Sequence, residues 1–171
     1  MKIRIHRVNI LKGKGQFTSW LIGSLVNWFE NTDFSHAYVE IIDENNKSFS
    51  IDNLIGFYVK SINSFEDTKN LYAEVGIWEK ELSKKEYTDC INLFKSYIGM
   101  YYSPWKIITF PIRRWLGIPG NLSGTICPEI IVHFFNLLGC KQSIPELTGM
   151  SELSSLLGDG WSNFLENTNS R

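Results

Sequence analysis

Cys127-Pro128-Glu129 stands at the head of a run in which Ile130, Phe134 and Leu137, and beside them Ile131, Phe135 and Leu138, recur at the spacing of one helical stripe. Proline suits a first helical turn, where its missing N–H has no carbonyl to meet, so Pro128 places Cys127 at the cap. Gly139 supplies a left-handed stop. A thiol at such a start faces unpaired amides and the positive end of the helix dipole. Both favour a thiolate, the nucleophilic form of cysteine, and the amides can hold an oxyanion afterwards. The same position also suits a small buried cysteine, and the residues alone leave both readings open.

A thiol nucleophile needs a base, and the base needs a partner that fixes its tautomer. The chain has three histidines. His133 follows Cys127 by six positions, about 600° of helix rotation, and cannot return its ring to the thiol. With Glu129 it is expected to form an exposed i, i+4 pair. His6 lies on the polar phase of the first strand and is expected at the surface. His36 opens a strand, where side-chain direction is well defined. Cys90, Cys127 and Cys140 have no paired ligand spacing, so neither a metal nor another cofactor is expected.

The elements that must position these residues are legible in outline. Residues 2–11 read as a strand with Ile3, Ile5, Val8 and Ile10 inward, ended by Gly13-Lys14-Gly15. From Thr18 or Ser19 an amphipathic helix runs through Trp20 to Phe29; its apolar residues Leu21, Ile22, Leu25, Val26, Trp28 and Phe29 are expected in the core. Phe34–Ile42 and Ser48–Asn53 form a hairpin whose polar face carries His36, Tyr38, Glu40, Ser50 and Asp52. Further strands are expected at Gly56–Ser61 and Leu71–Glu79, the latter alternating through Leu71, Ala73, Val75 and Ile77, with a polar connector at 63–70. Ser83-Lys84-Lys85-Glu86 is a capping box that opens a helix with Tyr87, Ile91, Phe94 and Ile98 on its buried stripe, Cys90 beside it and Gly99 at its end. Met100–Gly120 holds Trp105 to Leu116, an apolar segment punctuated by prolines that reads as a helical insertion on the core, a lid or a membrane-touching wedge. A short helix at Ser151–Leu157 follows, then Trp161 and Phe164 docking the end of the chain.

A chain of 171 residues with 43% hydrophobic and 14% aromatic content suits a single domain over 1–171, with 103–122 an insertion or lid and 165–171 a loose tail. The formal charge of −1 and the lack of a basic face argue against nucleic acid. Three cysteines leave an odd thiol, which fits a reducing compartment. No signal-peptide core is visible, and no stretch approaches the roughly eighteen apolar residues of a membrane span. The expected location is cytoplasmic or virion-associated.

Taken together, the parts resemble a known order. The Ser35-His36-Ala37-Tyr38-Val39 strand, the polar return, the helix ending Gly99-Met100-Tyr101-Tyr102-Ser103, and Cys127-Pro128-Glu129 opening a helix resemble the circularly permuted papain-like proteins. These are the YiiX-like relatives of the NlpC-type cell-wall peptidases and of the lecithin retinol acyltransferase group. Their "Ser-His-x-Gly-Ile" meets Tyr38 where glycine is usual, their "Gly-x-x-Tyr-Asp" meets Ser103 in place of aspartate, and their "Cys-Ser-Glu" meets Pro128 in place of serine. The resemblance covers roughly residues 3–140. It implies an α+β fold, a small antiparallel sheet with the cysteine helix packed on it.

The resemblance also implies roles. Cys127 would be the nucleophile and His36 the general base; Asp52 would be the third residue, with Ser50 and then Glu40 as alternatives. The Cys127 amide would form one side of an oxyanion hole, Tyr102 would line the cleft, and Tyr38 would narrow the site beside His36. The implied activity is a thiol hydrolase acting on an amide, of peptide or cell-wall type, through an acyl-enzyme, in a phage or bacterial protein. Alternatives are a lipid or ester acyltransferase or thioesterase of the same fold, or an inactive binding or structural module, for instance a viral one. The partners implied are a peptide, cell-wall or acyl-lipid substrate, with membrane contact available through Trp105–Leu116.

Overall fold

The computed structural model of the chain describes residues 1–12, 17–52, 58–62, 71–118 and 123–165. The first strand, β1 (Lys2–Ile10), is the spine: β2 (His36–Ile42) pairs with it on one side and β5 (Tyr72–Glu81) on the other, both antiparallel. β3 (Ser48–Asp52), β4 (Lys60–Ile62) and β6 (Trp161–Leu165) complete a six-stranded sheet in the order β4-β3-β2-β1-β5-β6. The fold is mixed α+β with an antiparallel sheet.

One face of the sheet builds the main core. Ile3, Ile5, Val39, Ile41, Ile51 and Trp78 pack against Ile130, Ile131, Phe134 and Phe135 of α4 (Cys127–Leu137) and against Cys90 and Phe94 of α2 (Lys84–Tyr97). Leu138, in this core, follows the helix, and Gly139 takes a φ of 73° in the stop beyond it. α2 starts as its capping box requires: the Ser83 hydroxyl accepts from the Glu86 amide, and the Glu86 carboxylate accepts from the Ser83 amide at 2.8 Å.

The opposite face carries a smaller cluster of Val8, Ile10, Tyr38 and Tyr72, covered by Trp20 of α1 (Phe17–Glu30). It exists because β5 does not alternate as its apolar residues suggest. Ile5 pairs with Trp78 and Arg7 with Gly76, but Val8 pairs with Glu74, so the register shifts by one residue. This bulge reverses the phase of the strand's first half, and Tyr72 and Glu74 arrive on the face of His6 and Tyr38.

Several sequence expectations are corrected. The apolar residues of α1 do not all enter the core: Trp28 is 74% and Phe29 58% exposed, and Leu21 and Leu25 are also at the surface. Trp20 and Val26 are what anchor the helix. Trp105–Leu116 lies within α3 (Pro104–Leu116), which buries Phe110 and Lys106 but exposes Trp105, Ile108, Ile112 and Trp115. The segment expected at 151–157 is a 3-10 helix, Met150–Leu156. Trp161 docks on Phe135 and donates its indole N–H to Cys140 Sγ at 3.2 Å, whereas Phe164, on edge strand β6, is half exposed. β4 begins later than expected, and residues 53–57, the connector at 63–70, Gly13–Gly15 and the tail from 166 lie outside the described residues.

Candidate functional site

Ile126 is the N-cap of α4 and Cys127 its first helical residue, one position later in the helix than expected. The segment before it is held by backbone pairing: Thr125 N–H donates to the Tyr101 carbonyl at 2.8 Å, and Ser103 N–H to the Thr125 carbonyl at 3.0 Å. Gly124, at φ 89°, is needed here, since a side chain would collide with the Tyr101 carbonyl. The pairing sets Tyr102 beside Thr125 and brings its hydroxyl close enough to the Cys127 side chain for the two to influence each other.

The first residue of β2, His36, comes up to the same thiol, and the two influence each other's charge. The Nε2 of His36 lies 2.8 Å from Asp52 Oδ1 at the end of β3, so Nδ1 is the nitrogen free to face sulfur. The second Asp52 oxygen accepts from the Tyr72 hydroxyl. Cys127, His36, Asp52 and Tyr102 are all buried; Cys127 is 6% exposed and His36 1%. Met150 lies over the thiol, its sulfur 4.0 Å from Cys127 Sγ.

Burial of the His36 ring opposes its charge, but the Asp52 carboxylate and the contact with Cys127 outweigh burial and raise it to about 10. The imidazolium therefore persists through neutral pH. Burial, and then Cys127, hold the Tyr102 hydroxyl well above its usual range; burial and Asp52 do the same for Tyr72. Both phenols stay protonated and act as donors.

The remaining candidates fall elsewhere. Glu40 turns to His6 Nε2 at 3.1 Å and Arg4 at 3.5 Å, not to His36. Ser50 pairs with Glu40 in the ladder, one step from Asp52. Tyr38 stacks on His6 at 4.5 Å and on Tyr72 at 5.9 Å, so it packs behind the site and touches its hydrogen bonds through Tyr72. His6 is buried rather than exposed: its Nδ1 meets Glu74 at 2.9 Å and its Nε2 meets Glu40. Burial opposes its charge, but the two carboxylates raise it.

Glu129 is likewise buried and makes no exposed pair with His133. Lys106 reaches it from α3 at 3.0 and 3.1 Å, and the Thr125 hydroxyl and Ile126 amide donate to it as well. An acidic side chain at a helix start suits the dipole, and the lysine makes its burial tolerable. Among the described residues no cluster of His, Cys, Asp and Glu could hold a metal ion.

Tyr72 is the residue that sequence reasoning missed. Its position is hidden by the bulge, although a tyrosine on the phase opposite Leu71, Ala73, Val75 and Ile77 was a usable signal. Tyr72→Phe leaves a buried carboxylate short of one donor and is expected to lower unfolding stability by about 2 kcal/mol, read from the urea midpoint. No family model matches the chain, and no curated protein matches it.

Proposed function

We propose that the chain is a thiol hydrolase of circularly permuted papain-like type, cleaving an amide through an acyl-enzyme on Cys127. The observation that carries this reading is the buried chain Cys127, His36, Asp52, with a protonated Tyr102 on the same sulfur. A histidine strand that precedes the cysteine helix, and that helix packed on an antiparallel sheet, support the permuted fold.

In this mechanism His36 already holds the thiol proton as the imidazolium, and the thiolate attacks the substrate carbonyl. The oxyanion is held by the Cys127 backbone N–H and the Tyr102 hydroxyl. His36 then protonates the leaving amine, and water, deprotonated by the same ring, hydrolyses the thioester. Pro128 offers no amide, so the phenol takes the place of a second backbone donor.

The test is the pH dependence of iodoacetamide alkylation, read peptide by peptide. Cys127 is expected to react ahead of Cys90, which burial pushes up to about 12. Its reaction is expected to persist near pH 6 and to fall there by roughly 100-fold in His36→Ala. A Cys127 that titrates as an ordinary thiol, unchanged by His36→Ala, overturns the catalytic reading and leaves a binding module.

A further inference from the structure

His36 and Asp52 sit on neighbouring strands, but the second oxygen of Asp52 is held from farther away. In the sheet β5 is separated from β3 by β1 and β2, and Tyr72 reaches across that face to donate its hydroxyl to Asp52 Oδ2. The other oxygen, Oδ1, is the one 2.8 Å from His36 Nε2. A carboxylate gripped at both oxygens keeps one orientation, so its contact with the imidazole is fixed by the fold and not by a side-chain torsion alone.

Tyr72 is itself fixed. It stands opposite Ile10 at the end of the bulged ladder, and the Leu11 amide donates to the Leu71 carbonyl next to it at 2.9 Å. Its buried ring lies against His36, 5.5 Å between centroids, and against Tyr38, 5.9 Å away. Tyr38 stacks in turn on His6 at 4.5 Å, and His6 is held by Glu74 at 2.9 Å and Glu40 at 3.1 Å. A continuous brace therefore runs from this ion cluster through two phenol rings to the Asp52 carboxylate.

We propose that Tyr72, braced by Tyr38, is a positioning residue for the Cys127 and His36 pair, acting through Asp52 by holding Oδ1 on His36 Nε2. The role rests on the thiol reading above. His36 is faced by Asp52 from β3, Cys127 from α4 and Tyr72 from β5, and Tyr102 lies near both Cys127 and Tyr72. Burial and Asp52 keep the Tyr72 hydroxyl protonated, so any effect of removing it on the imidazole passes through the carboxylate. The sign of that effect separates two roles. A carboxylate that only loses a neutral donor becomes a stronger partner for the imidazolium and raises it further. A carboxylate that loses its hold turns from Nε2 and lets it fall.

The test is acylation of the full chain by p-nitrophenyl acetate, followed against pH. Tyr72→Phe is expected to slow acylation by about 10-fold, as for loss of one hydrogen bond to a charged group. Its basic edge is expected to fall from about 10, part of the way that Asp52→Ala takes it. With Asp52→Ala already present, Tyr72→Phe is expected to change the rate by less than about 2-fold, since no carboxylate is left to hold. Tyr38→Leu keeps the hydroxyl but removes the ring stacked beside it; it is expected to lower the edge as well, and it carries the test if Tyr72→Phe does not fold. An edge that stays or rises in Tyr72→Phe, one unmoved in Tyr38→Leu, or Tyr72 and Asp52 effects that multiply would each overturn the positioning role and leave the Cys127 reading in place. A wild-type Cys127 whose reactivity ignores His36 overturns both.

Discussion

Cys127→Ser is expected to abolish the stoichiometric release of p-nitrophenolate that the wild-type chain gives with p-nitrophenyl acetate, and the acetyl group is expected on the peptide that carries Cys127. His36→Ala keeps the sulfur but removes the group that holds its proton and passes it to the leaving group, and acylation is expected to slow by roughly 1,000-fold. Asp52→Ala is the informative third variant. In the wild type the folded His36 is raised to about 10, so its charge contributes fully to stability below the unfolded value of 6.5 and is lost as pH rises through about 10. Without the carboxylate, burial becomes the dominant influence on the ring and disfavours its charge. The basic edge of the pH–rate profile is then expected to move from about 10 to the neutral side, with stability near pH 8 falling in step. A burst that survives Cys127→Ser, or a profile that Asp52→Ala does not move, would show that these groups do not act together.

The second large effect is on stability and lies outside the proposed chemistry. Lys106→Ala leaves the Glu129 carboxylate buried at the start of α4 with only neutral donors, from Thr125 and Ile126. Breaking a buried pair from one side costs about 3–5 kcal/mol. A loss of that size is expected in chemical denaturation. Lys106→Met combined with Glu129→Gln is expected to recover much of it, because both charges then leave the interior. If the single variant is as stable as wild type, the pair is not sealed from water. Because Lys106 is the tie from α3 to the cysteine helix, the single variant also tests how firmly α3 is seated.

What was legible in the sequence is what depends on short-range periodicity. The capping box at Ser83, the start of α4 at Cys127 and Pro128 and the hairpin that carries His36 and Asp52 follow from local spacing, whereas the grouping of Cys127 with His36 and Asp52 came from the resemblance. The errors came from partners distant in the chain. His6 reads as a surface residue until Glu74, 68 positions away, and Glu40 are known to converge on it. Glu129 reads as a partner for His133 until α3 delivers Lys106. The face of α1 reads as core because periodicity shows that a stripe exists and not what lies against it; among the described residues no element buries Trp28 or Phe29.

The extra residue near Val75 in β5 means that one strand obeys two different phases. From Gly76 onward its side chains keep step with the core, as Trp78 opposite Ile5 shows; before it they keep step with Asp52. Substitutions at Tyr72 or Glu74 can therefore reshape the surroundings of His36 without disturbing the packing under α4, and changes at Trp78 can adjust the core without moving the carboxylate. Loss of a single residue there would join the two halves into one continuous phase, and every later change on that strand would have to satisfy both. The bulge gives the protein two separately adjustable regions where an unbroken strand would give one.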